Sequence, residues 1–236
     1  MSQIQTLVDT LLHYQALPHH HDTTLKKALT AVQHWQKQRI RRTNHALFHD
    51  EKTAPLANYL ISRIYGDDDF DVLARQLLTA GNNALNGSGK LEKLIPANAL
   101  GAGISGVGLA IDTIELDLAL AKSLLADFHY QPNDANNNNL DELMPAVYRK
   151  VNAKEARTAQ LYAIEGVCEQ SHKYFSSFIL QNAFKLAKNM AYDNGYQPLY
   201  DFIQDGLVAM KPLKHASDFT TPFIENELAV IEEIHR

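Results

Sequence analysis

Apolar side chains recur at steps of three and four almost from end to end of the chain, the spacing that places them on one face of an α-helix. Leu7, Leu11, Tyr14 and Leu17 form the first such stripe, and Pro18 ends it. Asp22 to Thr24 offers capping oxygens for a long second helix, expected to run to about His49. Thr53, Ala54 and Pro55 predict a third start, because proline suits the first helical turn, with Leu56, Tyr59, Leu60 and Ile64 on its inner side. Asp69 predicts the cap of a fourth, with Phe70, Leu73, Leu77 and Leu78 turned inward and a stop near Gly81.

Residues 81–90, GNNALNGSGK, read as a loop. Their ending resembles a phosphate-binding loop, but Ala84 stands where the first glycine belongs and Leu91 where a hydroxyl should hold magnesium. Ile111, Ile114, Leu118, Ala121, Leu125 and Phe128 predict a helix from Ala110 to Phe128. The stretch QPNDANNNN that follows is too polar to pack and reads as a linker over 131–139. Beyond it, Asn152 and Glu155 have the spacing of a capping box and open a pattern through Leu161, Ile164, Cys168, Phe175, Ile179 and Phe184. That pattern is expected to bend at Ser176 and Ser177 and to end by Asn194 and Gly195. Pro198 and Pro222 each mark a further helix start. No alternation of period two, internal repeat or heptad run interrupts the pattern. The expected fold is therefore all-α, a single multi-helix, bundle-like domain of about ten helices. Two halves, 1–130 and 140–236, are expected to share one core across the Asn-rich linker.

Composition narrows the function classes. The 236 residues suffice for a sizeable core, and 45% hydrophobic with 21% charged residues is ordinary for a globular protein. A formal charge of -5 argues against bulk attraction to nucleic acid or anionic lipid. The single cysteine, Cys168, excludes an intrachain disulfide and points to a reducing compartment, the cytoplasm. The N-terminus has no basic region ahead of its apolar part and carries Asp9 within it, unlike a secretory signal. Leu94 to Ile111 has no charge over 18 residues, but Pro96, Asn98 and four glycines make it a place for close helix contact rather than a membrane span.

Within that stretch GAGISG, residues 101–106, matches the glycine fingerprint of dinucleotide-binding proteins. A buried strand must lead into such a loop. The preceding KLEKLIPANAL carries Pro96 and no β-branched run, so the match predicts no nucleotide site.

YLISRIYGDDDF, residues 59–70, resembles the motif of the FFLEELY-motif family of bacterial proteins at Tyr59, Leu60, Ile61, Ile64, Tyr65, Gly66, Asp69 and Phe70. Ser62 and Arg63 stand in the places of that motif's acidic pair. RTAQLYAIEGV, from Arg157 to Val167, and DFIQDGLVAMKPLKHASDFTTPFIENE, from Asp201 to Glu227, are also similar to the family. The resemblance implies an all-helical bacterial cytoplasmic protein and no particular reaction. Physically, Tyr59, Leu60 and Ile64 share a helix face, Tyr65 ends it and Gly66 is free to close it: a packing corner.

Candidate chemistry is sparse. Glu169 with His172 and Glu232 with His235 repeat a Glu-x-x-His spacing that puts carboxylate and imidazole on one helix face. Two such pairs, with Glu115 and Glu142 or Glu165 as further ligands, would build a di-iron or other divalent-metal site and an oxidoreductase. His45 and His49 have metal-ligand spacing but no glutamate between them to act as a base. His19 to His21 reads as a polar connector, and Cys168 continues an apolar stripe, where a thiol is inert.

The helix from Thr23 to His49 carries Lys26, Lys27, Lys37, Arg39, Arg41 and Arg42 and no acidic residue. Arg39, Arg41 and Arg42, with Trp35, are the expected anchors of an exposed surface for an acidic protein partner; aromatic residues are too few there for nucleic acid. The favoured reading is a cytoplasmic binding or protein-interaction module without catalytic activity and without a cofactor, and the alternative is the di-metal oxidoreductase.

Overall fold

Ser2 opens the first helix, its hydroxyl accepting a hydrogen bond from the Gln5 amide at 3.2 Å. In this computed structural model, which describes residues 2–64, 67–88, 97–132, 140–175 and 178–236, helix follows helix and no strand occurs among the described residues. Helix α1 (Gln3–Gln15) leads through a 3-10 turn (Pro18–His20) to α2 (Thr23–Thr43), capped by Asp22 at 2.9 Å from the Leu25 amide. Then come α3 (His45–His49), α4 (Ala54–Tyr59), a π-helical segment (Leu60–Ile64), α5 (Asp67–Leu85) and α6 (Ala97–Asp127). The second half holds α7 (Leu140–Val151), α8 (Lys154–Phe175), α9 (Phe178–Asp193), α10 (Gln197–Met210) and α11 (Ser217–Ile234). The all-α expectation holds.

Several boundaries differ from the periodicity, each for a local reason. The basic helix stops at Asn44, a fully buried residue with φ -105° and ψ 30°, so α3 is a separate turn. Its side-chain amide bonds the Ile40 carbonyl at 3.1 Å and Glu227 at 2.7 Å, satisfying groups that a straight helix would have left elsewhere. Gly81 does not end α5. A Cβ there would lie 2.7 Å from Val8 Cγ2, so glycine is what lets α1 and α5 approach. The stop is Gly87, at φ 70°, where the Ser88 amide reaches back to Asn83 at 2.9 Å. Asn152 adopts φ 52° in the turn between α7 and α8, which is a left-handed joint in place of the expected capping box. The predicted bend at Ser176 and Ser177 falls between α8 and α9, and those two residues lie outside the described ones, as does most of the predicted linker, 133–139.

Helix α6 has 31 residues, about 46 Å at 1.5 Å per residue, and packs against α1, α2, α7 and α8. Leu118, Leu120, Ala121 and Leu124 are buried along it over an arc of about 160°, at roughly 100° per residue. The buried apolar side chains sort into two clusters. One joins α1, α5, α6, α7 and the first part of α2 from Leu25 to Trp35. The other joins Ile40, Leu47, α4, α8, α10 and α11. The division does not follow the sequence halves: α4 belongs with the C-terminal helices and α7 with the N-terminal ones.

A layer of polar side chains lies where the clusters meet. Gln36 and Arg39 occupy α2 between Trp35 of the first cluster and Ile40 of the second. Arg157 on α8 meets Asp117 on α6 at 2.6 Å, and Gln36 donates to Asp117 at 3.2 Å and to the Tyr148 hydroxyl. Arg39 meets Glu227 on α11 at 2.7 Å. Buried charges persist only when paired in this way.

Candidate functional site

Tyr59, at the end of α4, sits against α10. Its hydroxyl donates to the Phe202 carbonyl at 3.2 Å, and a Cβ on Gly206 would come within 2.9 Å of that oxygen. Burial pushes the phenol's pKa up. Arg63 reaches Asp205 one helical position before Gly206, its Nε at 3.1 Å from the carboxylate. Leu60 opens the π-helical turn; Tyr65, Gly66 and the side chain of Ile64 lie outside the described residues. One face of α10 is thus held by the aromatic motif.

The other face of α10 lines an open cleft of about 380 Å³. Gln204, Leu207, Val208 and Met210 form its α10 wall, Gln181 and Lys185 its α9 wall, and His172 closes it at the end of α8. Lys211, Leu213 and Lys214 of the segment leading to α11 complete it. Helices α9 and α10 form an antiparallel hairpin whose turn ends at Gly195, φ 78°, with the Tyr196 amide bonding Ala191 at 2.8 Å. Near that turn the hairpin is tied by Tyr192, whose hydroxyl meets Asp201 at 2.7 Å, and by Tyr200, stacked on Phe184 at 4.3 Å. The cleft lies toward the hairpin's opposite end.

Its basic rim is built locally. Pro212, lacking an amide hydrogen, cannot continue α10 beyond Met210. The chain therefore turns, buries Leu213 and offers that residue's carbonyl to His172 Nε2, which donates at 3.1 Å. The Asp218 carboxylate accepts from the amides of Lys214 at 3.1 Å and His215 at 2.9 Å, which fixes the backbone under Lys214 and lowers the Asp218 pKa. Lys185, Lys211 and Lys214 are exposed, and none makes an ion pair among the described residues. Three uncompensated cations over an apolar floor stand out on a chain of net charge -5. They can attract and pair with an anion.

The candidates raised by sequence are placed as follows. Two of the four expected anchors on the basic helix are turned inward: Trp35 is 6% exposed, with its indole donating to Asp141 at 2.7 Å, and Arg39 is held in its pair with Glu227. Arg42 is exposed but bonds the same Asp141 at 2.7 Å, and Arg41 lies over the Phe48 ring at 5.1 Å. The partners of Trp35, Arg39 and Arg42 come from α7 and α11, distant in the chain, whereas Arg41 stays with Phe48 and Asn58 nearby.

The two Glu-x-x-His pairs stand at opposite ends of the antiparallel helices α8 and α11. Glu232 bonds Lys154 at the start of α8 at 2.8 Å, whereas His172 is 18 residues further along that helix, about 27 Å. Glu169 is exposed, and His235 Nδ1 donates to the Ile231 carbonyl at 2.8 Å. The pairs cannot share one metal. Of the further ligands, Glu115 bonds His13 at 2.9 Å, and no group of three or more His, Cys, Asp or Glu with metal-site geometry occurs among the described residues. His45 and His49 stack at 3.9 Å on the surface.

Cys168 is buried, and burial pushes its thiol up to about 12. The glycine fingerprint lies inside α6, where its amides are committed to the helix. No helix among the described residues is long and apolar enough to cross a membrane.

The His19–His21 tract is more than a connector. His19 is buried, and its ring lies 3.9 Å from that of His20, which packs edge-on against Tyr14 at 4.8 Å. The Tyr14 hydroxyl donates to Asp71 on α5 at 2.5 Å. Only the packing of α1 on α5 brings these groups together.

The fold defines an all-helical protein whose described residues form two apolar clusters and a polar layer, with a basic cleft at the α9–α10 hairpin. The chain belongs to the family described as Domain of unknown function (DUF8198), whose model matches residues 15–236. No curated protein and no solved structure matches it.

Proposed function

We propose that this chain is a non-catalytic binding protein of the bacterial cytoplasm and that its acidic partner docks in the cleft between α9 and α10. The observation that carries this reading is the set of three unpaired lysines, Lys185, Lys211 and Lys214, around an apolar floor. An exposed lysine loses little by meeting a carboxylate at its tip while its methylenes stay on apolar surface. Clustered cations also steer an anionic partner toward the site against the protein's overall negative charge. The proposed surface thus keeps the acidic partner expected from sequence and moves it from α2 to the hairpin. The single buried cysteine supports a reducing compartment.

Titration calorimetry at low salt with two probes tests the reading: laurate, a carboxylate with an apolar tail, and a peptide of alternating leucine and glutamate clusters. At least one should bind the native chain. The triple variant Lys185→Glu, Lys211→Glu, Lys214→Glu should lose that binding while keeping its circular dichroism spectrum, because exposed charges contribute little to stability. Binding of neither probe, or binding that the triple variant retains, sinks the reading.

A further inference from the structure

Two exposed apolar side chains stand on the helices that wall the cleft, and they narrow what fits it. Val208, in the α10 wall of the cleft, is 57% exposed, and Leu186, which follows Lys185 on α9, is 84% exposed. Large aliphatic groups left in water on the two helices that carry uncompensated cations give the hairpin both apolar and basic surface. Resting on the reading of the cleft as an anion-docking site, we infer that its occupant is an amphipathic acidic helix of a partner protein. Leucine-type side chains would cover Leu186 and Val208, and glutamates at helical spacing would meet Lys185, Lys211 and Lys214.

The alternatives fail on the chemistry present. Strand addition needs a sheet edge, and the described residues contain no strand. Proline-rich segments dock on aromatic-lined grooves, and the cleft lining has no Trp, Tyr or Phe. Phosphorylated motifs are gripped by the planar fork of arginine, whereas the cleft lining holds lysines and no arginine, and a lysine is a point charge that suits single carboxylates spread along a helix. A groove between two antiparallel helices offers a third helix a ridge-and-groove seat.

Lysines also fit the geometry. Lys211 and Lys214 are three residues apart at the bend after α10, and Lys185 stands across the cleft on α9. Carboxylates on two sides of a docked helix could therefore be met at once. Because these contacts would be solvent-exposed pairs, binding should weaken with salt.

The experiment compares four probes on the full chain by fluorescence anisotropy or competition. The first is a fluorescein-labelled peptide of about 15 residues, the length at which isolated helices begin to form, with leucines at i, i+3, i+4 and i+7 and glutamates between. The others are the same composition scrambled to break the stripe, laurate and inorganic phosphate. The helical peptide should bind about tenfold or more tightly than the scrambled one. Leu186→Asp with Val208→Asp, and separately Lys185→Glu with Lys211→Glu, should each weaken it about tenfold. Both pairs are exposed, so circular dichroism should remain unchanged. Equal binding of helical and scrambled peptides overturns the inference, as does insensitivity to Leu186→Asp with Val208→Asp. Lysine-dependent binding of laurate without the helical peptide overturns the helix alone and leaves the acidic-partner cleft standing; binding of phosphate alone, or of no probe, overturns both.

Discussion

Arg157 and Asp117 meet at 2.6 Å between the two apolar clusters, with 6% and 0% of their side chains exposed. The pair ties the central helix α6 to α8, and Gln36 and Tyr148 complete the polar contacts around it. In water such a bond would contribute little, but here neither partner has solvent to fall back on.

Removing one partner should therefore be costly. Arg157→Ala or Asp117→Ala is expected to lower stability by about 3 to 5 kcal/mol, measured as a shift in urea midpoint. Arg39→Glu should behave similarly, because it would place a second carboxylate against buried Glu227. Arg42→Glu should change the midpoint by about 0 to 1 kcal/mol, since Arg42 and Asp141 are more than half exposed. Equal effects at Arg39 and Arg42 would contradict the division between layer and surface.

The contact of Tyr59 with Gly206 makes a sharper test. A methyl group at Gly206 would lie 2.9 Å from the Tyr59 hydroxyl and 3.0 Å from Cζ, so Gly206→Ala should cost about 1 to 3 kcal/mol. Tyr59→Phe should recover part of that loss. At Gly103, in the fingerprint, a methyl would meet nothing within 4 Å, and Gly103→Ala should stabilise α6 by about 0.5 to 1 kcal/mol. Thermal melts of the three variants rank them directly. A stabilised Gly206→Ala protein would show that α10 is free to shift away from α4.

Acid should loosen the contact of α1 with α5. Burial, then the charge of neighbouring His20, lowers the His19 pKa from 6.5 to about 4, and burial also lowers that of His20. Asp71 opposes these shifts, while Lys26 and His21 reinforce them. An unfolded chain binds a proton at His19 near pH 6.5, before the folded one does, so this contribution to stability is complete above about 6.5 and is lost as the pH falls toward 4. Urea midpoints measured between pH 7.5 and 5 should fall, and His19→Gln should flatten that fall. An identical slope in the variant would exclude His19 as its source.

Much of the architecture is legible in the sequence because helices are local. The three-and-four spacing identifies the helices, and Asp22 caps α2 as expected. Where one residue plays either of two roles, local reading fails: Gly81 resembles a stop but is a close contact with Val8, and Asn44 resembles an ordinary helix residue but ends α2 through its bond to Glu227.

The candidate site was visible only in fragments. Lys211 and Lys214 flank Pro212 in a stretch already notable for its family resemblance, yet nothing in the spacing joins them to Lys185 or His172. The basic helix drew attention because its charges are consecutive in sequence, but burial against α7 and α11 consumes Trp35 and Arg39. What the sequence by itself determined is the helical class and most helix positions, since the apolar period and the caps act within a few residues. Only the tertiary structure decided which charges are neutralised, which histidines are buried and which lysines line a groove, because pairing and desolvation depend on neighbours that the chain brings together across more than a hundred residues, as with Arg39 and Glu227, 188 apart.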